Sequence, residues 1–199
     1  MSTAIILAST STYRRALLEQ LQLPFSCANP HVNEQLLSAE TASQACLRLA
    51  KLKAQSIIKN HPHSLVIGSD QLASFEGNIL GKPGNHLRAF AQLKSMSGKT
   101  IIFHTGLCVM YGDTCHSLVE DFQVHMRHLT DAEINNYLHR EQPYDCAGSF
   151  KSEGLGISLF TKLQGSDPNT LIGLPLIALT TILNKLGCGP LQSTHKQVQ

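Results

Sequence analysis

Residues 64–83 read SLVIGSDQLASFEGNILGKP, and no other stretch restricts the fold of this chain as tightly. Its apolar run, bounded by small polar residues, has the pattern of a buried strand. Aspartate is depleted in strands, so Asp70 directly behind Leu65, Val66 and Ile67 needs a physical reason. Residues 64–75 predict the strand, and Asp70 either sits where it opens into a cleft or merely starts a turn. Glu76-Gly77-Asn78 is a tight-turn signal leading into residues 79–81, which predicts a hairpin. Gly81-Lys82-Pro83 follows, and its rigid turn aims a lysine stem soon after the acid.

Strand and helix patterns alternate around this segment. Residues 4–9 (AIILAS) predict a short buried strand, and Ser11 or Thr12 can cap a helix over 13–22 with Leu17, Leu18 and Leu21 on one face. Leu23-Pro24-Phe25 breaks that helix, and residues 25–29 predict a second strand. A long helix is predicted over 41–60, with Cys46, Leu49, Ala50 and Ile57 as its apolar stripe. Past Lys82 the pattern predicts a helix over 86–96, then strands over 99–111 and 117–129 joined at Gly112-Asp113. Thr130 with Glu133 forms a capping box that opens a helix to about residue 140. A glycine-rich section over 147–160 and a turn over 166–169 precede a last helix with Pro175 in its first turn. Hairpins mixed with strand–helix–strand alternation imply one α/β unit with a mixed sheet. No repeat or linker interrupts it, so residues 1–191 are expected to form a single domain and residues 192–199 a flexible polar tail.

Composition narrows the function classes. The net charge is only +2 and the basic residues are dispersed, which disfavours a nucleic-acid surface and suits a small anionic ligand. No apolar stretch approaches the length of a membrane span, and the N-terminal arginines follow the apolar run instead of preceding it as in a signal peptide. A cytoplasmic location is expected. The six cysteines include no CxxC pair and are expected to be free thiols in or near the core. His125 and His128 make an HxxH pair without convergent partners, so they are expected to be surface or strand residues and not ligands.

The polar residues that remain gather at the ends of predicted elements. In ASTSTYRR, residues 8–15, backbone N–H groups at a helix start, two hydroxyls and Arg14 could cradle a phosphate. Plain helix capping explains the same stretch, and it is not a P-loop because the glycine spacing is absent. Asp70 near a fixed Lys82 suits metal-assisted phosphate chemistry, the acid holding an ion or positioning water while the lysine neutralises phosphate oxygens. Glu34 and Glu153 lie in polar, loop-like contexts. Taken together these residues outline a magnesium and polyphosphate site, and magnesium needs only one or two carboxylates.

The stretches LASTSTYRRALLEQL, LRLAKLKAQS, VIGSDQ, GKP, TGL, AGSFKSEGLG and DPNTLIGLPLIAL resemble the Maf family of nucleotide pyrophosphatases over nearly the whole chain. The last two are most similar to the branch that hydrolyses 7-methyl-GTP, as opposed to the branch acting on dTTP and UTP. The resemblance implies a Maf/ITPase-like α/β fold, with a central mixed sheet flanked by helices and two lobes around a substrate cleft. It also implies a homodimer and a divalent cation, Mg2+ or Mn2+. The implied reaction converts a nucleoside triphosphate and water to the monophosphate and pyrophosphate. In this reading Asp70 is the proton acceptor, Glu34 and Asp70 hold the metal, and Ser9, Arg14, Lys53 and Lys82 bind phosphates. Tyr13, Gln71 and Glu153 fall at positions tied to base choice. Two departures stand out: Tyr13 replaces the tryptophan common in the 7-methyl-GTP branch, and Val32-Asn33-Glu34 replaces Val-Asp-Glu. A non-catalytic nucleotide-binding regulator linked to septum formation, and a dTTP/UTP pyrophosphatase, are the alternatives.

Elementary chemistry agrees with the base choice. Methylation at N7 puts a positive charge on guanine, which an aromatic face attracts by about 0.5–2 kcal/mol. A carboxylate such as that of Glu153 can accept from N1–H and the exocyclic amine in a charge-assisted pair. Tyrosine is the weaker aromatic partner compared with tryptophan, which implies softer selectivity.

Overall fold

The computed structural model describes residues 3–192, so of the tail expected over 192–199 all but Gln192 lies outside the described residues. The elements run β1 (Ile5–Leu7), α1 (Thr12–Glu19), β2 (Phe25–Cys27), α2 (Ala42–Ile58), β3 (Leu65–Phe75), β4 (Asn78–Leu80), α3 (His86–Met96), β5 (Thr100–Tyr111), β6 (Thr114–Met126), α4 (Asp131–Glu141), β7 (Phe160–Gln164), α5 (Asn169–Ile172) and α6 (Leu176–Lys185). All strands join one sheet in the order β2-β1-β3-β5-β6-β7, with β4 also beside β3. β1 is parallel to β2 and β3, and the other pairings are antiparallel. The mixed α/β sheet flanked by helices is the architecture that the resemblance implied.

One feature of the pairing makes the cleft. Along one edge, β3 pairs with β1 through Leu65, Val66 and Ile67, then with β4 through Ala73, Ser74 and Phe75. The stretch 68–72 therefore faces a gap between two neighbours while β5 continues unbroken along its other edge. Asp70 sits in the middle of that gap. The strand expected over 64–75 forms as β3, Leu65–Phe75, and it is the neighbour β1 that ends, which opens the gap at the acid.

Helix α2 crosses the sheet at unusually close range. A Cβ on Gly68 would come 2.2 Å from Ala50 O, and one on Gly106 would come 2.4 Å from Cys46 O. Glycine at these two strand positions lets the helix backbone rest on the sheet, with Ala50 and Ala54 fully buried between. Elsewhere two apolar cores form. Leu17 and Leu18 of α1 pack with Ile67, Leu107 and Leu179, while Leu93 of α3 and Ile134 of α4 pack with Ile101, Phe103 and Phe122. These cores build the two lobes, and long strands shared by both hold the lobes together.

Several boundaries differ from the sequence expectation. The first helix stops at Glu19, not at residue 22, where Gln22 adopts a positive φ of 53°. Strand β7 arises between the glycine-rich section and the turn, where no element was expected; its residues are largely exposed and carry no alternating apolar signal. Pro175 is the N-cap of α6, one position before the expected first turn. Of the cysteines, Cys46 and Cys108 are buried and all six are free, but Cys27 and Cys115 are exposed instead of near the core. The HxxH histidines hold no metal-like cluster among the described residues: His125 lies on β6 beside Thr100, and His128 packs over Gly98.

Candidate active site

A cleft of about 760 Å³ opens over the gap in β3, within the roughly 300–1,000 Å³ usual for small-molecule sites. Ser9, Tyr13, Arg14, Glu34, Lys53, Asp70, Gln71, Lys82 and Glu153 all line it, so the structure brings every residue singled out from the sequence to one cavity.

The floor is an acid–lysine–acid cluster. Asp70 is 6% exposed and its Oδ1 lies 2.6 Å from Lys53 Nζ. The same ammonium lies 2.9 Å from Glu34 Oε1. Lys53 reaches this point because it projects from α2, which Gly68 and Gly106 allow onto the sheet. Burial of a charge is costly without a partner, and here each buried charge has one. Lys53, expected to meet phosphates, is thus shared between two carboxylates. Both carboxylates lie within reach of one ammonium and offer hard oxygen donors. That pair fits magnesium, which takes one or two carboxylates with phosphate oxygens and water. Among the described residues no three His, Cys, Asp or Glu side chains converge, so such an ion would draw its remaining ligands from substrate and solvent.

The start of α1 forms the adjoining wall. Ser11 is the N-cap, its side chain accepting from Arg14 N, and buried Ser9 accepts from Ser11 N through Oγ at 3.1 Å. Arg14 donates from Nε to Gly173 O at 2.8 Å. Burial lowers its guanidinium from the ordinary value, and Asp70 and then Glu34 pull it back up; the arginine remains charged. The Gly81-Lys82-Pro83 turn also lines the cleft, pinned by Gly84 N donating to Tyr144 O at 2.8 Å and by buried Pro83. Lys82 is exposed to the cleft and makes no ion pair among the described residues.

Tyr13 and Glu153 line the cleft together with Asp145, Cys146 and Lys151, and these four neighbours act electrostatically on the Tyr13 phenol. Tyr13 is 43% exposed, which leaves a ring face open to a ligand. Its phenol is raised by burial first and then by neighbouring groups including Cys146 and Glu153. The Cys146 thiol is pushed up to about 12, chiefly by burial, so it is a neutral lining group and no nucleophile. Gln71 lines the cleft, but its amide nitrogen is spent inward, at 2.7 Å from Thr170 O and 3.0 Å from Leu171 O.

Sequence reasoning missed the groups that hold this wall in place. Ser69 Oγ lies 2.9 Å from both Gly173 O and Gly106 O, and Thr105 Oγ1 donates to Thr170 O at 2.8 Å. They clamp α5 and the Gly173 carbonyl that fixes Arg14. At Gly173, with φ +120°, a Cβ would come 3.3 Å from Arg14 Nε. Polar residues next to Asp70, and glycines inside strand patterns, were the available signals.

Fold and site together define an α/β protein with one cleft, lined by cationic side chains, the Asp70–Lys53–Glu34 cluster, and the Tyr13 ring with further carboxylates. Residues 4–186 match the family described as Maf-like protein, and the chain belongs to that family. It is 54% identical over 185 residues to a 7-methyl-GTP pyrophosphatase of Vibrio vulnificus (strain CMCP6), covering 92% of this chain and 95% of the relative. Among solved structures it is similar to the Ham1 protein of Staphylococcus aureus, with a TM-score of 0.52 at 12% identity, covering 92% of this chain and 100% of that one. At that identity the second likeness bears on fold alone.

Proposed function

We propose that this protein hydrolyses 7-methyl-GTP to 7-methyl-GMP and pyrophosphate, clearing a modified nucleotide. The observation that carries this reading is one cleft joining the Asp70–Lys53–Glu34 cluster to Tyr13 and Glu153. The substrate comes from the Vibrio vulnificus relative, whose name is that activity.

Asp70 is the proton acceptor. Water attacks the α-phosphorus, its oxygen forms the new P–O bond, and its proton passes to the Asp70 carboxylate. The bond from the α-phosphorus to the bridging oxygen breaks, and that oxygen leaves with pyrophosphate. Arg14 and Lys82 bind the phosphates, while Ser9 and the α1 N-terminus hold them in register. Lys53 orients Asp70 and meets phosphate oxygens when they arrive. Glu34 and Asp70 would hold a Mg2+ or Mn2+ ion, which would supply neutralisation of charge on the pyrophosphate. Tyr13 stacks on the methylated base and Glu153 accepts from its Watson–Crick edge. Gln71 acts on base choice by fixing α5 behind the base. Residues 1–191 act as one domain, in a cytoplasmic homodimer.

The test is hydrolysis in heavy-oxygen water with added magnesium or manganese. This reading predicts the label in 7-methyl-GMP and none in pyrophosphate. Label in pyrophosphate would contradict attack at the α-phosphorus, and no turnover of any nucleotide would favour a binding regulator.

A further inference from the structure

Resting on the reading above, we propose that the base end of the cleft selects positive charge on the purine, with Asp145 acting beside Glu153 and Tyr13. Its substrates are then cationic purine nucleoside triphosphates as a class, and the methyl group matters for the charge it creates more than for its shape.

The carboxylates of the cleft divide into two kinds. Glu34 and Asp70 are neutralised by Lys53. Asp145 and Glu153 form no ion pair among the described residues; their contacts are to the Cys146 thiol at 3.5 Å and the Ser152 hydroxyl at 3.2 Å. Lys151, which also lines the cleft, has its Nζ turned to Glu141, 3.4 Å from Glu141 O and 3.9 Å from Glu141 Oε1. Two unpaired carboxylates at one end of a polyphosphate site are a liability, since they repel the tail of any ligand that enters. A base carrying a positive charge turns that repulsion into attraction, and the Tyr13 ring adds a face that favours a cation. A neutral guanine gains neither. Tyr13 lies within the field of these groups: after burial and Cys146, Glu153 raises its phenol, Lys151 partly offsets this, and Asp145 adds a smaller push upward.

The decisive substrate is 7-methyl-7-deaza-GTP, which carries the methyl group in the same place without the ring charge. On the wild-type protein its kcat/KM should fall about tenfold below that of 7-methyl-GTP, to the level of GTP, while the larger cation 7-ethyl-GTP is retained. Asp145→Asn should lower the ratio of 7-methyl-GTP to GTP by about fivefold. Equal turnover of the neutral isostere and 7-methyl-GTP overturns charge selection while leaving the pyrophosphatase reading intact. An unchanged ratio in a folded Asp145→Asn protein removes Asp145 from it. Failure to hydrolyse 7-methyl-GTP at all would instead overturn the function on which the inference rests.

Discussion

Asp70 and Tyr13 both line the cleft and carry separate consequences. Asp70→Asn removes the proposed proton acceptor but leaves Lys53 paired with Glu34, so folding should survive. Loss of a general base costs typically about 10²–10⁴ in rate, and kcat for pyrophosphate release should drop in that range with an unchanged circular dichroism spectrum. A near-normal rate would take the base role from Asp70. For base choice, Tyr13→Trp installs the stronger cation–π partner, and the preference for 7-methyl-GTP over GTP should rise about two- to fivefold. Glu153→Gln should lower the same ratio, because a neutral amide replaces a charge-assisted acceptor. Competition assays with the two nucleotides read both effects directly.

Helix α2 decides where Lys53 lies, and Gly106 decides where α2 lies. A methyl group at Gly106 would press on the Cys46 carbonyl, so Gly106→Ala should cost about 1–3 kcal/mol as overpacking. It should also lower kcat, since the helix and Lys53 shift away from Asp70. Loss of stability with full activity would show that the close approach serves packing only. Helix α4 offers an electrostatic test. Glu133 is held at about 2 against an ordinary 4.5, first by the Thr130 backbone N–H and then by Arg127. A depressed carboxylate stabilises the fold fully above its unfolded value and loses that contribution as pH falls through the folded one. The Tm curves of wild type and Glu133→Gln should therefore converge between about pH 4.5 and 2. Elements with a local chemical signature were legible in the sequence: the Thr130–Glu133 box, the long α2 stripe and the Glu76-Gly77 hairpin all form. β7 was not legible, because an exposed edge strand needs no apolar alternation, and its existence depends on pairing with β6.

The whole molecule is organised around an interruption in one sheet edge. β1 ends before β4 begins, two cores build a lobe on either side, and side chains distant in sequence converge on the gap. The members of the site were legible from motif resemblance, but their pairing was not. Nothing in the order of residues says that Lys53 bridges Glu34 and Asp70, because that contact depends on how closely a helix rests on two glycines. Membership in the Maf-like family and the Ham1-like fold agree with this architecture. The central claim is that the cleft splits 7-methyl-GTP, and the most direct measurement is kcat/KM of the purified protein for 7-methyl-GTP, GTP, dTTP and UTP with magnesium or manganese. The account predicts pyrophosphate release from all that bind, with 7-methyl-GTP preferred by about tenfold or more over GTP. A preference for dTTP or UTP, or no release from 7-methyl-GTP, would contradict it.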